Sequence, residues 1–325
     1  MAQPEPGSVA LLMQVLGIDV GGTKVEIASV VDGSAVAPQQ IPTPLSDSDA
    51  LLDGIDSLAR SVIEHDGPPA AIGVGVPSQI DFATGTVVSS VNIPLEGVAL
   101  RDELERRFGV PVFVDNDANC AALAEAQLVD GGPARHLVML TLGTGVGGGI
   151  IIDGDVFRGA TGLGAELGHM VINADGLPCP GRTCHNRGCI EAYCSGKALE
   201  LATGMKGRDA VAAARTGDEK ALEALTDLGR WLGVAISSIV NIFEPEHIII
   251  GGGLGSSACD LFLDTAIEEA RSRALPAGFD RVAISLAKVG NDAGVIGAGV
   301  LAKKEQALAG SARDTARNAT LEGGR

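Results

Sequence analysis

Three groups of residues in this chain have the types and spacing that chemistry requires. The segments DVGGTK at 19–24 and LGTGVGGG at 142–149 each end an apolar run in glycine and threonine. The segment VDNDAN at 114–119 places two acidic residues around an asparagine, and three cysteines lie between 179 and 189. These patterns predict, in turn, phosphate binding by backbone amides, proton transfer by a carboxylate and metal binding by thiolates.

The glycine turns suit phosphate because no Cβ intervenes and several N–H groups can point to one place. Phosphate repels Asp19, so this residue is expected to hold a magnesium ion or its waters, while Lys24 offers a point charge. The predicted nucleotide-binding residues are Asp19, Gly21, Gly22, Thr23, Lys24, Thr141, Gly143, Thr144, Gly145, and Gly252 and Gly253 of a third turn, which would support the adenine and ribose. Either hairpin alone is as typical of an ordinary tight turn as of a phosphate site, and neither matches a Walker sequence. The third turn is more typical of helix packing than of nucleotide binding.

The acidic segment joins a predicted strand to a predicted helix. Asp115 and Asp117 are both candidates for the carboxylate that accepts a proton from an alcohol during phosphoryl transfer. Asp117 also stands at or near the N-cap of the helix, where a carboxylate is favoured without any catalytic role.

The elements that must position these groups follow one design twice. QVLGIDV and KVEIASVV are predicted strands joined by the first glycine turn, and HLVMLTL and GGIIID repeat the arrangement around the second. The repetition predicts a duplicated α/β unit with a cleft between the halves, and a ligand that bridges both turns would lie in that cleft. The last predicted helix is DAGVIGAGVLAKK.

Composition limits the class of protein. The chain has 325 residues, 46% of them hydrophobic, which is enough for two folded domains. Its net charge of −17 disfavours nucleic acid as a partner. No long apolar run and no signal peptide are evident, so we expect a cytoplasmic protein that does not bind a membrane.

Together the two hairpins resemble those of the sugar-kinase, Hsp70 and actin superfamily, in which two ribonuclease-H-like domains clamp ATP across an interdomain cleft. This resemblance implies a flexible N-terminus at 1–13, a small α/β domain at 14–117 and a large α/β domain at 118–290 that contains a zinc segment at 166–191. A C-terminal helix at about 291–304 would pack back on the small domain, and the Ala-, Gly- and Arg-rich tail 305–325 is expected to be disordered.

The segment AELGHMVINADGLPCPGRTCHNRGCIEAY narrows the resemblance to the ROK family of bacterial sugar kinases and repressors, through E-x-G-H, the cysteines and G-C-x-E. Matching motifs run from residue 17 to about 299. The resemblance implies that Asp117 is the catalytic base. It also implies the following sugar-binding residues: Asn116, Glu166, His169 and Glu191.

The same resemblance implies a structural zinc ion held by His169 and three cysteines. The usual pattern, C-x-C-G-x-x-G-C-x-E, fits Cys184 and Cys189, but here Arg182 stands at the other cysteine position and His185 at the glycine. Cys179, three residues earlier, could loop back through Pro180 and Gly181. The favoured ligands are therefore His169, Cys179, Cys184 and Cys189, with Cys194 and His185 as alternatives.

Two further sugar contacts, Ser78 and Asn92, rest on a loop that resembles the sugar-facing segment of the family, although a plain loop is an equal alternative. The predicted function is ATP-dependent phosphorylation of a hexose at the 6-hydroxyl, with glucose converted to glucose 6-phosphate. Kinases for fructose, mannose or N-acetylmannosamine, a polyphosphate donor, and a non-catalytic sugar sensor stay open. Only about 16 residues precede Ile18, too few for a helix-turn-helix domain. A dimer or tetramer is a family expectation.

Overall fold

The computed structural model describes the backbone of residues 14–322 and the side chains of residues 14–311. The N-terminal segment 1–13, predicted to be flexible, lies outside the described residues. The elements of the first half are β1 (Val15–Val20), β2 (Lys24–Val31), β3 (Ser34–Pro42), α1 (Ser48–Asp66), β4 (Ile72–Val76), β5 (Ser78–Asp81), β6 (Thr86–Ser90), α2 (Leu100–Phe108) and β7 (Val112–Asn116). Those of the second half are α3 (Asp117–Gln127), β8 (Leu137–Leu142), β9 (Val146–Ile152), β10 (Asp155–Val156), α4 (Glu191–Cys194), α5 (Gly196–Thr203), α6 (Gly207–Arg215), α7 (Glu219–Phe243), β11 (His247–Gly251), α8 (Gly252–Ala258), α9 (Leu263–Arg273), α10 (Pro276–Phe279), β12 (Ala283–Leu286) and α11 (Ala293–Glu322).

Two five-stranded sheets share one topology. The strand order is β3-β2-β1-β4-β7 in the first sheet and β10-β9-β8-β11-β12 in the second. In each sheet the three hairpin-connected strands are antiparallel, and the other two strands pair in parallel. The duplicated α/β unit predicted from the two glycine hairpins is therefore confirmed.

The central strands of the first sheet are covered on both faces, which explains why most of their residues are apolar. Ile18 of β1 packs in a core with Leu51 and Ile55 of α1. The adjacent residue Gly17 points to the opposite face, where it meets α11. Because side chains alternate along a strand, one strand serves both layers.

Helix α11 approaches this sheet very closely. A Cβ atom on Gly17 would lie 3.1 Å from the Gly299 nitrogen, and one on Gly73 of β4 would lie 3.3 Å from the Ala298 Cα and closer still to its carbonyl. Helix α11 also packs along α3. Helices α3 and α11 are thus packed against each other between the two sheets.

The prediction of a disordered tail from residue 305 was wrong. Helix α11 continues without a break to Glu322 instead of ending near residue 304. The segment 305–322 contains no proline, and 12 of its 18 residues are Ala, Leu, Arg, Glu or Gln, which have high intrinsic helix propensity. Composition alone suggested disorder because the segment has few apolar residues to bury.

No helix in the described part of the chain combines the length and the apolar character that crossing a bilayer requires.

Candidate active site

A cavity of about 420 Å³ lies between the two halves of the molecule and is lined by residues of both. Its walls come from the end of β7, the loops around β5 and β6, the second glycine hairpin and the cysteine segment. Of the predicted site residues, it is lined by Ser78, Asn92, Asn116, Asp117, Thr141, Gly143, Thr144, Gly145, Glu166, His169, Glu191 and Gly252. Residues far apart in sequence therefore share one concave surface.

The junction of β7 and α3 supplies the acidic wall of this cavity. Asn116, and not Asp117, is the N-cap of α3: its Oδ1 accepts hydrogen bonds from the Ala118 and Asn119 amides at 2.9 and 3.4 Å. Asp117 is the first helical residue, and its carboxylate accepts from the Ala118 amide at 2.8 Å. Burial raises the pKa of the Asp117 carboxyl, and nearby Glu166 also raises it. Asp117 is thus a carboxylate made more basic by its surroundings.

Asp115, the other acidic candidate, does not line the cavity. Its side chain is buried and is engaged by protein donors. Oδ1 accepts from the Asn116 amide and from Asn119 Nδ2, both at 2.8 Å, and Oδ2 accepts from Arg158 Nε at 2.7 Å. Of the two acidic residues, only Asp117 is placed to meet a ligand in the cavity.

The sugar-binding candidates surround Asp117. A single 3-10 turn, Leu167–His169, carries His169 and follows Glu166 directly, and Glu191 begins α4. Glu191 Oε2 accepts a hydrogen bond from the Val146 amide at 2.9 Å. The carboxylate therefore braces the second glycine hairpin as well as facing the cavity.

On the opposite wall, Ser78 Oγ donates to Ser90 Oγ at 2.9 Å, and Asn116 Nδ2 donates to the Ser78 carbonyl at 3.3 Å. Asn92 also belongs to this wall. A Cβ atom on Gly22 would lie 3.6 Å from the Asn92 Cβ, so the first hairpin lies close behind this loop.

The second glycine hairpin lines the cavity, and its conformation is fixed from behind. The Gly143 amide donates to the Gly145 carbonyl at 2.9 Å, and the Gly196 amide at the start of α5 donates to the Gly143 carbonyl at 2.8 Å. An adjacent cavity of about 660 Å³ is lined by Gly143 and Thr144, and also by Gly253 and Lys206. The third glycine turn thus adjoins the second hairpin, as a site for the adenosine part of a nucleotide requires.

The first glycine hairpin is formed but lines neither of these two cavities. The Gly21 amide donates to the Lys24 carbonyl at 2.8 Å, which closes the turn, and Gly22 and Thr23 form its tip. Lys24 Nζ pairs with Glu26 at 3.0 Å, so its charge is already partly neutralised.

Asp19 stands at the entry to the first hairpin. Burial raises the pKa of the Asp19 carboxyl to about 7, with further contributions from Asp117 and Glu26, while Lys24 lowers it. The first turn of α11 lies against this carboxylate at Gly294, where any side chain would overlap with it. Neighbouring carboxylates with an unfavourable ionised state fit a divalent cation with oxygen ligands, so Asp19 could hold magnesium.

The four favoured zinc ligands come together. The ligand atoms of His169, Cys179, Cys184 and Cys189 all lie within 4.8 Å of one another. His169 Nδ1 is 3.5 Å from Cys179 Sγ, and the sulfurs of Cys184 and Cys189 are 3.9 Å apart. Tetrahedral zinc with Zn–S bonds of about 2.3 Å requires sulfurs separated by about 3.8 Å, so the set fits zinc.

The metal cluster and the cavity share His169. Since Nδ1 faces the thiols, Nε2 is the nitrogen that is free to meet a ligand in the cavity. Burial and the neighbouring Cys179 and Cys184 thiols raise the pKa of Cys189 to about 12. Metal binding must therefore displace protons from these thiols. Cys194 is a buried core thiol that donates to the Leu228 carbonyl at 3.7 Å, away from the cluster.

Sequence reasoning missed several cavity residues. Gln79 Nε2 donates to Glu166 Oε1 at 3.4 Å, and Arg182 Nη1 donates to the Val91 carbonyl at 3.5 Å, both across the cleft. Lys197 of α5 also lines the cavity. Of these residues, only Arg182 could have been singled out from the sequence, because it stands where the family pattern has a cysteine and its side chain cannot bind the metal.

The chain is similar to known sugar kinases. The profile of the ROK family matches residues 15–305. A glucokinase from Halalkalibacterium halodurans is 35% identical over 318 residues, which cover 90% of this chain and 95% of that protein. An N-acetyl-D-glucosamine kinase from Vibrio vulnificus is 35% identical over 255 residues, 74% of this chain and 84% of that one. The crystal structure of a ROK family glucokinase from Streptomyces griseus in complex with glucose and AMPPNP has a TM-score of 0.75 and 32% identity, covering 90% of this chain and 99% of that chain.

Proposed function

Because this chain belongs to the ROK family, we propose that it is a kinase that transfers the γ-phosphoryl group of ATP to the 6-hydroxyl of a hexose, with glucose as the preferred acceptor. One observation carries the proposal: the Asp117 carboxylate faces a cavity that has the second glycine hairpin on one side and Glu166, His169 and Glu191 on another. The similarity to a glucokinase with bound glucose and AMPPNP supports it.

Asp117 is the proposed general base. As the 6-hydroxyl oxygen bonds to the γ-phosphorus, the bond to the bridging oxygen of ADP breaks and the hydroxyl proton moves to the Asp117 carboxylate. The raised pKa of Asp117 brings its basicity nearer to that required at neutral pH. Asn116 stays in place through its N-cap hydrogen bonds and can direct its amide to the sugar.

The remaining polar residues would orient the two substrates. Glu166, His169 and Glu191 would accept or donate hydrogen bonds to the ring hydroxyls, with Ser78 and Asn92 on the opposite wall. The amides of the second hairpin and of the Gly252 turn would hold the phosphates and the adenosine. When bound with ATP, magnesium would neutralise phosphate charge, and Asp19 is the residue that would hold it.

Zinc at His169, Cys179, Cys184 and Cys189 is proposed as a structural metal. All four ligand positions are supplied by protein, which is typical of closed sites. Its proposed role is to fix the His169 ring and to hold Cys189 close to Glu191, two residues further along the chain. A cytoplasmic location stays a prediction from the sequence, and a homo-oligomeric assembly stays a prediction from the family resemblance.

N-acetylhexosamines are the second acceptor class, because an N-acetyl-D-glucosamine kinase is also 35% identical, over 74% of this chain compared with 90% for the glucokinase. Purified protein should be tested for ADP formation with glucose, fructose, mannose, N-acetylglucosamine and N-acetylmannosamine. Glucose 6-phosphate formation should be followed with a coupled dehydrogenase, and Asp117→Ala should be assayed in parallel. Sugar binding with equally slow ATP hydrolysis by both proteins would indicate a sensor and refute the kinase.

A further inference from the structure

Arg158 has contacts that no role in substrate binding explains. It follows β10 in the second half of the chain, and its side chain is 17% exposed. Its Nε donates to Asp115 Oδ2 at 2.7 Å, its Nη2 donates to Glu305 Oε1 at 3.2 Å, and its guanidinium carbon lies 3.6 Å from the centre of the Phe82 ring. One side chain thereby joins the end of β7, the residue after β5 and helix α11.

The contact with Asp115 leads directly to the catalytic residue. Among the described residues, Arg158 is the only cation paired with the buried Asp115 carboxylate. The other oxygen of Asp115 accepts from the Asn116 amide and from Asn119 Nδ2. The carboxylate is therefore hydrogen-bonded both to the Asn116 amide and to a side chain of the first turn of α3. Asp117 lies between these two hydrogen-bonded residues in the chain.

The main chain of Arg158 begins a second connection to the site. The Gly164 amide donates to the Arg158 carbonyl at 2.9 Å, which closes the loop 158–164. Gly162 in this loop has a φ of 94°, and a Cβ atom there would lie 2.9 Å from the Phe82 nitrogen. The loop therefore packs closely against the main chain at the end of β5, and Glu166 follows two residues after the loop.

We propose that Arg158 is a positioning residue for phosphoryl transfer. By pairing with Asp115 it fixes the β7–α3 junction in the orientation that turns the Asp117 carboxylate into the cavity. By stacking on Phe82 it holds the loop 158–164, which leads to Glu166, against the end of β5. The inference rests on the proposed kinase function. It assigns the role to a residue that lies outside the cavity and touches no substrate.

The test compares Arg158→Met with Arg101→Met. Arg101 is the matched control, because its guanidinium also stacks on Phe82, at 5.9 Å, yet has no contact with Asp115. With ATP and glucose, Arg158→Met is expected to lower kcat about 10- to 100-fold, the cost of a slightly misplaced catalytic group, with the KM for ATP little changed. Arg101→Met should keep kcat within about threefold, since it leaves the β7–α3 junction intact.

The double variant Arg158→Met/Asp115→Asn separates positioning from folding. Removing both charges should restore the melting temperature lost in Arg158→Met, because no unpaired buried carboxylate remains. The kcat of the double variant should stay low. Recovery of kcat in parallel with melting temperature, or a folded Arg158→Met with wild-type kcat, would overturn the proposal.

A crystal structure of Arg158→Met gives a readout besides activity. The expected result is a rotated Asp115 side chain and a displaced peptide between Asn116 and Asp117. An unchanged junction would overturn the positioning role even if activity fell. A wild-type protein that phosphorylates no hexose would refute the proposed function, whereas the geometry of the junction would still decide the inference.

Discussion

Replacement of Asp117 by asparagine tests the mechanism with little change in shape. Asparagine can still accept the 2.8 Å hydrogen bond from the Ala118 amide, so α3 should begin as it does in the wild type. What is lost is the acceptor for the hydroxyl proton. General base catalysis contributes about 10²- to 10⁴-fold, so kcat should fall by that factor, equivalent to about 3–5 kcal/mol of transition-state stabilisation.

The same substitution should have the opposite effect on stability. Burial raises the folded-state pKa of Asp117 above its unfolded value, so ionisation of this carboxyl destabilises the folded protein as pH rises through that range. The asparagine side chain carries no charge, and Asp117→Asn should therefore melt at the same temperature as the wild type, or higher, at neutral pH. Wild-type kcat should decline as pH falls through the raised pKa, because the base becomes protonated.

The assay is steady-state ADP formation with glucose, combined with thermal unfolding of both proteins at pH 5 and pH 8. A kcat within about threefold of the wild type would refute Asp117 as the base. A large loss of melting temperature would show instead that asparagine disrupts the junction, and the loss of activity could then not be assigned to proton transfer.

Three further predictions concern individual contacts. Cys179→Ser should lose zinc in atomic absorption measurements while Cys194→Ser retains it, and the reverse outcome would refute the ligand set. In magnesium-free buffer Asp19→Asn should have a higher melting temperature than the wild type, and the difference should be larger at pH 8 than at pH 5. The reason is that the wild-type carboxyl, with a pKa of about 7, loses its stabilising proton between these two pH values. An equal difference at both pH values would contradict the raised pKa. Arg182→Ala should raise the KM for glucose severalfold without changing the KM for ATP, because Arg182 lines the cavity. Arg187→Ala, a change at an exposed residue between Cys184 and Cys189 that does not line the cavity, should change neither KM. Equal effects in the two variants would show that Arg182 has no specific role.

Much of the architecture could be predicted because it depends on local pattern. Apolar runs that end in glycine turns indicated the positions of β1, β2, β8 and β9, and their repetition predicted the duplicated sheets. The resemblance of E-x-G-H and the cysteines to the family motif implied the metal-ligand set, with Cys179 in place of the cysteine that Arg182 replaces, and the structure brings these four side chains together. These features are set by neighbours in the chain, within reach of one turn or one short loop.

The structure corrects one expectation and adds contacts that the sequence did not indicate. Composition suggested a disordered tail where α11 continues to Glu322. The contact of Lys24 with phosphate stays a prediction, and the structure adds that its ammonium group pairs with Glu26 on the same strand. No sequence pattern indicated that Arg158 joins β7 to α11.

The sequence by itself determined on which turns and strand ends the acidic, glycine and cysteine residues of the candidate site stand. Residue types alone left Asp115 and Asp117 as equal candidates for the base, since both acids flank the same asparagine, and only the family resemblance favoured Asp117. Only the tertiary structure shows that Arg158, 43 positions away in the chain, pairs with Asp115, whereas Asp117 lines the cavity. The physical reason is that the ionisation and direction of a carboxylate depend on the charges and donors around it in space, which the order of residues does not specify.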